Sequence, residues 1–301
     1  MILSNIHYKE KRQNFRAQLQ SGKLLQFPGA YHPIVAQIIQ QIGFDGVYVS
    51  GAVMANSLGM PDIGLTTLSE VVQQSVNIAK ITPLPTILDI DTGFGETMNV
   101  VRTIQELDYL GLAGCHIEDQ VNPKRCGHLD NKQLVDVNEM VKKINAASKA
   151  KLDDNFLLIA RTDARGVEGL DAAIDRAKAY VDAGADMIFP EALANEKEME
   201  LFRKAIDVPL LANMTEFGKT DLLTTQQLEN LGFNLVIYPV TTQRLALFAV
   251  EMGLQTIKNE GTQQSLINQM QTRKRLYEVV NYQKYNDLDA GIFNFKLNDN
   301  Q

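Results

Sequence analysis

Residues 85–118 read PTILDIDTGFGETMNVVRTIQELDYLGLAGCHIE. A short apolar run, Pro85–Asp91, ends in two carboxylates and a Gly-Phe-Gly turn. Thr97–Leu110 then places Val100, Ile104 and Leu107 at helical spacing, and Gly111 follows where a helix C-cap favours glycine. A second apolar run, Gly114–Glu118, again ends in acid. Near-continuous apolar strands belong to parallel sheets covered on both faces, and parallel neighbours need a crossover such as this helix.

The same unit recurs in both directions. Strand-like runs fall at Leu24–Pro28, Gly46–Ser50, Phe156–Arg161, Asp186–Glu191, Pro209–Asn213 and Leu235–Pro239. Helical spacing falls at Ile34–Ile42, Leu68–Ile81, Asn138–Ala150, Leu170–Ala183, Glu196–Ile206 and Thr225–Leu231. Gly43, Gly184, Gly232 and Gly253 are further C-cap positions. Eight βα units in about 250 residues predict an α/β fold, a closed (β/α)8 barrel of the TIM type. The alternative is an open doubly wound sheet. It would carry a glycine-rich phosphate turn after its first strand, and Phe27-Pro28-Gly29-Ala30-Tyr31 is not one. The expected organisation is one barrel domain over 1–301 with a C-terminal helical extension at about 242–285. That extension comprises Thr242–Lys258 and a polar helix from Thr262 to about Asn281, with a fraying polar end after about Gln283.

Composition narrows the partners. With 45% hydrophobic and 22% charged residues the chain reads as a soluble globular protein. A net charge of −7 argues against nucleic acid, although a local Arg and Lys cluster can still hold an anion. No signal peptide is expected from the mixed, polar Met1–Arg12, and no stretch has the apolar length of a membrane span. Two cysteines, Cys115 and Cys126, do not make a disulfide framework, so a reduced, cytoplasmic location is expected.

In such a barrel, functional residues lie where strands run into the following loops. The polar residues fall there: Tyr31 and His32, Tyr48 to Ala52, Asp89 to Gly95, His116 to Asp119, Arg161 to Asp163, Glu191, and Asn213 to Glu216. A barrel without a site has no reason to gather acids, Arg and Asn on one rim, so an enzyme is predicted. Asp89 and Asp91, two apart on a strand, share a face, and with Glu118 from the next strand they look like hard oxygen ligands for Mg²⁺, or Mn²⁺. The competing role for Asp89 is a cap or internal salt bridge. Cys115, His116, Cys126 and His128 have a zinc-like composition, but consecutive Cys115 and His116 must face opposite sides of a strand. Lys124-Arg125-Cys126-Gly127-His128 flanks a thiol with cations, a setting that raises thiol reactivity. Arg161, Arg244 and Arg273 are candidates for bidentate carboxylate binding, set against ordinary ion pairing.

These stretches together resemble the isocitrate lyase and phosphoenolpyruvate mutase superfamily, and within it the branch that cleaves 2-methylisocitrate. The likeness rests on Ser50-Gly51-Ala52, Ser57 to Asp62, Asp89 to Gly95, His116 to Gln120, Lys124 to His128, Ala160 to Ala164, Phe189 to Ala192, Asn213 to Gly218, Glu260 to Thr262 and Met270 to Arg273. Ala52 and Ile90 depart from the family's usual Gly and Ala without removing a functional group.

The resemblance implies Mg²⁺-dependent carbon–carbon cleavage of a small tricarboxylate, 2-methylisocitrate, to succinate and pyruvate in propionate breakdown by the methylcitrate cycle. It implies Cys126 as general acid beside Lys124, with Tyr48 and Asp62 as candidates for the base. Ser50, Gly51 and Ala52 would wrap the pyruvate end. Gly127, His128, Arg161, Glu191, Asn213, Met214, Thr215, Arg244 and Arg273 would bind substrate, and residues 120–132 would form a mobile lid. It also implies a homotetramer built as a pair of dimers that exchange the last barrel helix. Phe189, Pro239 and Val240 offer an apolar spot for the substrate methyl. Other reactions on the same scaffold, namely isocitrate cleavage, oxaloacetate hydrolysis and phosphonate mutation, are the nearest alternatives. A non-catalytic binding barrel is the alternative of a different class.

Overall fold

The computed structural model describes residues 6–127 and 131–294. Eight parallel strands follow one another round a ring: β1 (Leu25–Pro28), β2 (Val47–Val49), β3 (Thr86–Asp89), β4 (Gly114–Glu118), β5 (Leu157–Thr162), β6 (Met187–Pro190), β7 (Leu211–Asn213) and β8 (Leu235–Tyr238). Strands β2 to β6 pair in sequence order, and β7 and β1 flank β8. The bridges Gly29–Tyr48 and Ile188–Leu210 join the two arcs. The expected (β/α)8 barrel is therefore the observed fold.

Helices α1 (Tyr8–Leu19), α2 (Pro33–Ile42), α3 (Gly51–Ser57), α4 (Leu68–Ile81), α5 (Thr97–Tyr109), α6 (Val137–Ala150), α7 (Leu170–Asp182), α8 (Glu196–Ala205) and α9 (Thr225–Asn230) precede or connect the strands. Local chemistry sets several of their ends. Thr67 and Glu70 form a capping box on α4, Thr224 and Gln227 form one on α9, and Gly43 ends α2 in the left-handed region at φ 96°.

Strand alternation sorts the side chains. Phe27, Tyr48, Ile87, Leu157, Ile159, Met187, Phe189, Leu211, Leu235 and Ile237 pack together inside the ring. Val47, Val49, Leu88, Cys115, Ile117, Leu158, Ala160 and Ile188 join the outer layer with the helices. Cys115 and His116 thus face opposite sides, as the zinc argument required.

Helix α1 begins in the mixed, polar Met1–Arg12 and continues to Leu19, a helix that the sequence analysis does not anticipate. Its Phe15 and Leu19 join the inner cluster and close the N-terminal end of the barrel. Fully buried Arg12 anchors it, reaching Asp108 Oδ1 at 2.7 Å, Asp153 Oδ2 at 3.0 Å and the Leu112 carbonyl at 2.8 Å. The short helix α3 was also not anticipated.

The chain divides into two compact units, Ser4–Arg244 and Leu245–Gln301. Helix α10 (Thr241–Glu260) runs unbroken through Gly253, so Gly253 is not a cap; Gly261, at φ 69°, follows the helix instead. The single polar helix expected over 262–281 is instead a 3-10 turn at Gln264–Gln269 and a short α11 (Arg273–Val279) capped by Thr272. Asn281 adopts φ 53°, and α12 (Tyr282–Phe293) follows where fraying was expected.

Candidate active site

A small cavity of about 60 Å³ sits at the C-terminal ends of the strands. Its wall brings together Tyr48, Ser50, Ala52, Asp62, Asp89, Lys124, Cys126, Gly127, Arg161, Glu191, Asn213 and Thr215, all singled out from the sequence. Phe189, Ile237, Pro239 and Val240 supply an apolar side.

The geometry changes other expectations. Strand β3 ends at Asp89, and Asp91 lies beyond it with φ 47°, so the two acids do not share a strand face. They converge nonetheless. The Gly51 N–H donates to Asp89 Oδ2 at 3.0 Å, and a Cβ on Gly51 would stand 2.9 Å from Asp91 Oδ1 and 3.1 Å from Asp89 Oδ2. Gly51 is thus a close approach behind the wall, where alanine would press on both carboxylates.

Met214 does not line the cavity. It points into the outer layer, where its sulfur accepts the Leu223 N–H at 3.2 Å, because alternation along the chain turns it away from Asn213 and Thr215. Arg244 does not line the cavity; its half-exposed guanidinium pairs with Glu216 at 3.0 Å and lies over the Phe217 ring. Arg273 opens α11 in the C-terminal unit and is not among the lining residues. His128 lies outside the described residues.

Lys124 also departs from expectation. Its ammonium reaches Asp91 Oδ1 at 2.7 Å and bonds to Asp62, and the Arg125 side chain is exposed. Lys124 therefore serves the carboxylates. Cys126 is half-buried on the cavity wall.

Burial and charge set the protonation states. Burial opposes the charge on Asp89, but the cationic groups around it, His116 when protonated, Lys124 and Arg161, hold its pKa below the usual range. Burial and repulsion from Asp89 push Asp91 up to about 6. Burial pushes Glu118 well up despite Arg161 and Lys124. Burial also holds His116 down to about 4, so it is neutral at pH 7, with Nε2 2.7 Å from the Tyr48 hydroxyl. Burial, reinforced by Asp89, raises Tyr48 well above 10. For Lys124 and Arg161, burial disfavours the charge, yet the surrounding carboxylates outweigh it and both remain cationic.

The donor set fits a hard divalent cation. Asp89 and Asp91 converge, and buried Glu118 Oε1 has no hydrogen-bond partner. Among the described residues no group of three or more His, Cys, Asp or Glu forms a ready-made metal cage. Mg²⁺ does not require one, since it is typically held by one or two carboxylates with water and substrate oxygens.

Sequence reading missed a network behind Arg161. Asp163 accepts Arg161 Nε at 2.9 Å and Nη2 at 3.2 Å, and Lys132 Nζ at 2.8 Å. Asp119 accepts the Thr162 and Tyr180 hydroxyls at 2.8 Å and the Asp163 N–H at 2.9 Å. Gln120 clamps the loop by two bonds to the Arg125 backbone, at 2.8 and 2.9 Å. Strand-end position pointed to Asp119 and Asp163; nothing in the sequence marked Lys132.

The "Phosphoenolpyruvate phosphomutase" family model matches residues 15–258. The "Probable 2-methylisocitrate lyase 1" of Corynebacterium glutamicum is 55% identical over 301 residues, covering 100% of this chain and 99% of its own. Other 2-methylisocitrate lyases match at 44–47% identity over more than nine-tenths of the chain. Among solved structures, 2,3-dimethylmalate lyase superposes with TM-score 0.89 at 30% identity, covering 98% of this chain and 100% of its own. A phosphonopyruvate hydrolase complex with oxalate and Mg²⁺ superposes with TM-score 0.85 at 30% identity, covering 93% and 98%. The chain belongs to the phosphoenolpyruvate mutase and isocitrate lyase family.

Proposed function

We propose that the chain is a carbon–carbon lyase that cleaves 2-methylisocitrate to succinate and pyruvate, in the propionate-degrading methylcitrate cycle. The observation that carries this is a single cavity where the Cys126 thiol, the buried Arg161–Glu191 pair, Asp62, Asp89 and an apolar wall meet, with Asp91 beside Asp89. The Arg161 guanidinium, 3.3 Å from Glu191 and fixed by Asp163, is suited to a substrate carboxylate, with Asn213, Thr215, Ser50 and Gly127 around it.

Cleavage begins when the substrate hydroxyl loses its proton. Tyr48 and Asp62 both face the cavity; burial keeps the Tyr48 hydroxyl protonated, which leaves the Asp62 carboxylate, paired with Lys124, as the group open to accept that proton. The oxygen's electron pair forms the ketone of pyruvate as the C–C bond breaks. That bond's electrons move to the succinate carbon, which takes the Cys126 thiol proton. Mg²⁺, or Mn²⁺, on Asp89 and Asp91 with Glu118 behind them would supply charge stabilisation for the hydroxyl and its neighbouring carboxylate. Activity is expected to vanish with EDTA and return with Mg²⁺. Half-saturation is expected to need more Mg²⁺ below pH 6, where Asp91 takes a proton. Metal-independent turnover would remove Mg²⁺ from the account.

Phe189, Ile237, Pro239 and Val240 form the site for the methyl group. One methyl contact is worth about 1–3 kcal/mol, so kcat/KM for 2-methylisocitrate is expected to exceed that for isocitrate by roughly 10–200-fold. A preference for isocitrate would overturn the substrate assignment.

Self-association fits the surface. Leu245, Leu247, Phe248, Val250 and Leu254 of α10 are exposed in the single chain, and a homotetramer exchanging this helix would cover such residues. No described helix is long and apolar enough to cross a membrane. A cytoplasmic setting suits Cys115 and Cys126, which form no disulfide.

A further inference from the structure

The thiol-bearing segment is held by a side chain that does not itself line the cavity. Lys132 is buried, its side chain 3% exposed. Its ammonium donates to the Gly127 carbonyl and, at 2.8 Å, to Asp163 Oδ1. The same Asp163 grips the Arg161 guanidinium through both carboxylate oxygens. Gly127 is pressed against that guanidinium: a Cβ there would lie 2.3 Å from Arg161 Nη2 and 2.5 Å from Glu191 Cγ. One ammonium thus ties the residue after Cys126 to the carboxylate that orients Arg161.

We propose that Lys132 is a positioning residue that fixes the Cys126 thiol relative to Arg161, and so relative to a substrate whose carboxylate Arg161 holds. The physical reason is geometric. A proton donor must lie within hydrogen-bond reach of its target, and a displacement of about 1 Å can lower the rate about 10²-fold. Without Lys132, the Gly127 carbonyl loses its charged donor, while Asp163 keeps its pair with Arg161. The substrate carboxylate site therefore survives and the thiol's anchor does not. This rests on Cys126 being the acid in the proposed reaction.

The test uses Lys132→Met and Lys132→Gln in the full chain, with thermal melting and circular dichroism selecting folded protein. The first readout is steady-state turnover of 2-methylisocitrate with Mg²⁺. The second is the rate of iodoacetamide alkylation of the unliganded protein, followed by intact mass. Cys115 is fully buried, so a single adduct reports Cys126. The expected result in either folded variant is a fall in kcat of about 10²-fold with KM little changed, together with several-fold faster alkylation. Wild-type kcat, or a lowered kcat with an unchanged alkylation rate, would overturn the proposal. The alkylation readout does not depend on what the enzyme cleaves. Failure of the wild type to turn over 2-methylisocitrate therefore strikes the proposed function alone. Should neither variant fold, Asp163 and Gly127 would need Lys132 for stability, and a positioning role would be rejected.

Discussion

Cys126→Ser is expected to lower kcat and kcat/KM together by about 10²–10⁴-fold, the range general acid catalysis contributes. Serine keeps nearly the same shape, so binding to Arg161 and its neighbours is retained. A hydroxyl is a far weaker acid than a thiol and donates poorly to a carbanion. Cys126 is half-buried and lies outside both hydrophobic clusters, so the melting temperature should barely move. Retained activity in Cys126→Ser would refute the acid assignment, and loss of KM alone would recast Cys126 as a binding residue.

Arg161→Met is expected to destabilise the protein by about 3–5 kcal/mol, the cost of breaking a buried ion pair from one side. The guanidinium lies 3.3 Å from Glu118, 2.9 Å from Asp163 and 3.3 Å from Glu191, and these three side chains are at most 1% exposed. Methionine leaves them close together without that cation. At about 2–4 °C per kcal/mol for a chain of 150–250 residues, the melting temperature should fall by roughly 10 °C. The pH dependence follows from the sign of the shifts. Burial already raises Glu118 well above its ordinary range, and losing Arg161 raises it further. An acid whose folded pKa is raised favours folding at low pH and loses that contribution as pH rises through the folded value. The deficit of Arg161→Met should therefore shrink toward pH 5 and widen toward pH 8. Melting curves of both proteins across that range check it. A pH-independent loss would mean that apolar packing, not charge, holds this region.

The barrel was legible because its strands are apolar on both faces and its helices carry a clear period; Pro85–Asp91 and the unit after it show both. The rim residues were legible because barrel strands place their C-terminal ends at the site, which found Asp89, Glu118, Arg161, Glu191 and Asn213. What escaped depended on distance in the chain or on backbone irregularity. Helix α1 is polar on average, and only its inward residues Lys11, Arg12, Phe15 and Leu19 reveal its role. Asp91 reaches Asp89 through a left-handed residue, not through strand periodicity. Met214 sat between two cavity residues, and alternation carried it outward. The charge of Lys124 was assigned to its neighbour Cys126, but the ammonium found Asp62, 62 positions away, and Asp91. Lys132 and Asp163, 31 positions apart, meet only once the fold is formed.

The most direct measurement is product analysis of purified protein with 2-methylisocitrate, isocitrate, oxaloacetate and phosphonopyruvate, each with and without Mg²⁺. Succinate and pyruvate are expected in equal amounts from 2-methylisocitrate, only with the metal, at a higher kcat/KM than for any other substrate in the set. Oxalate and acetate from oxaloacetate as the dominant products, or no succinate from 2-methylisocitrate, would contradict it.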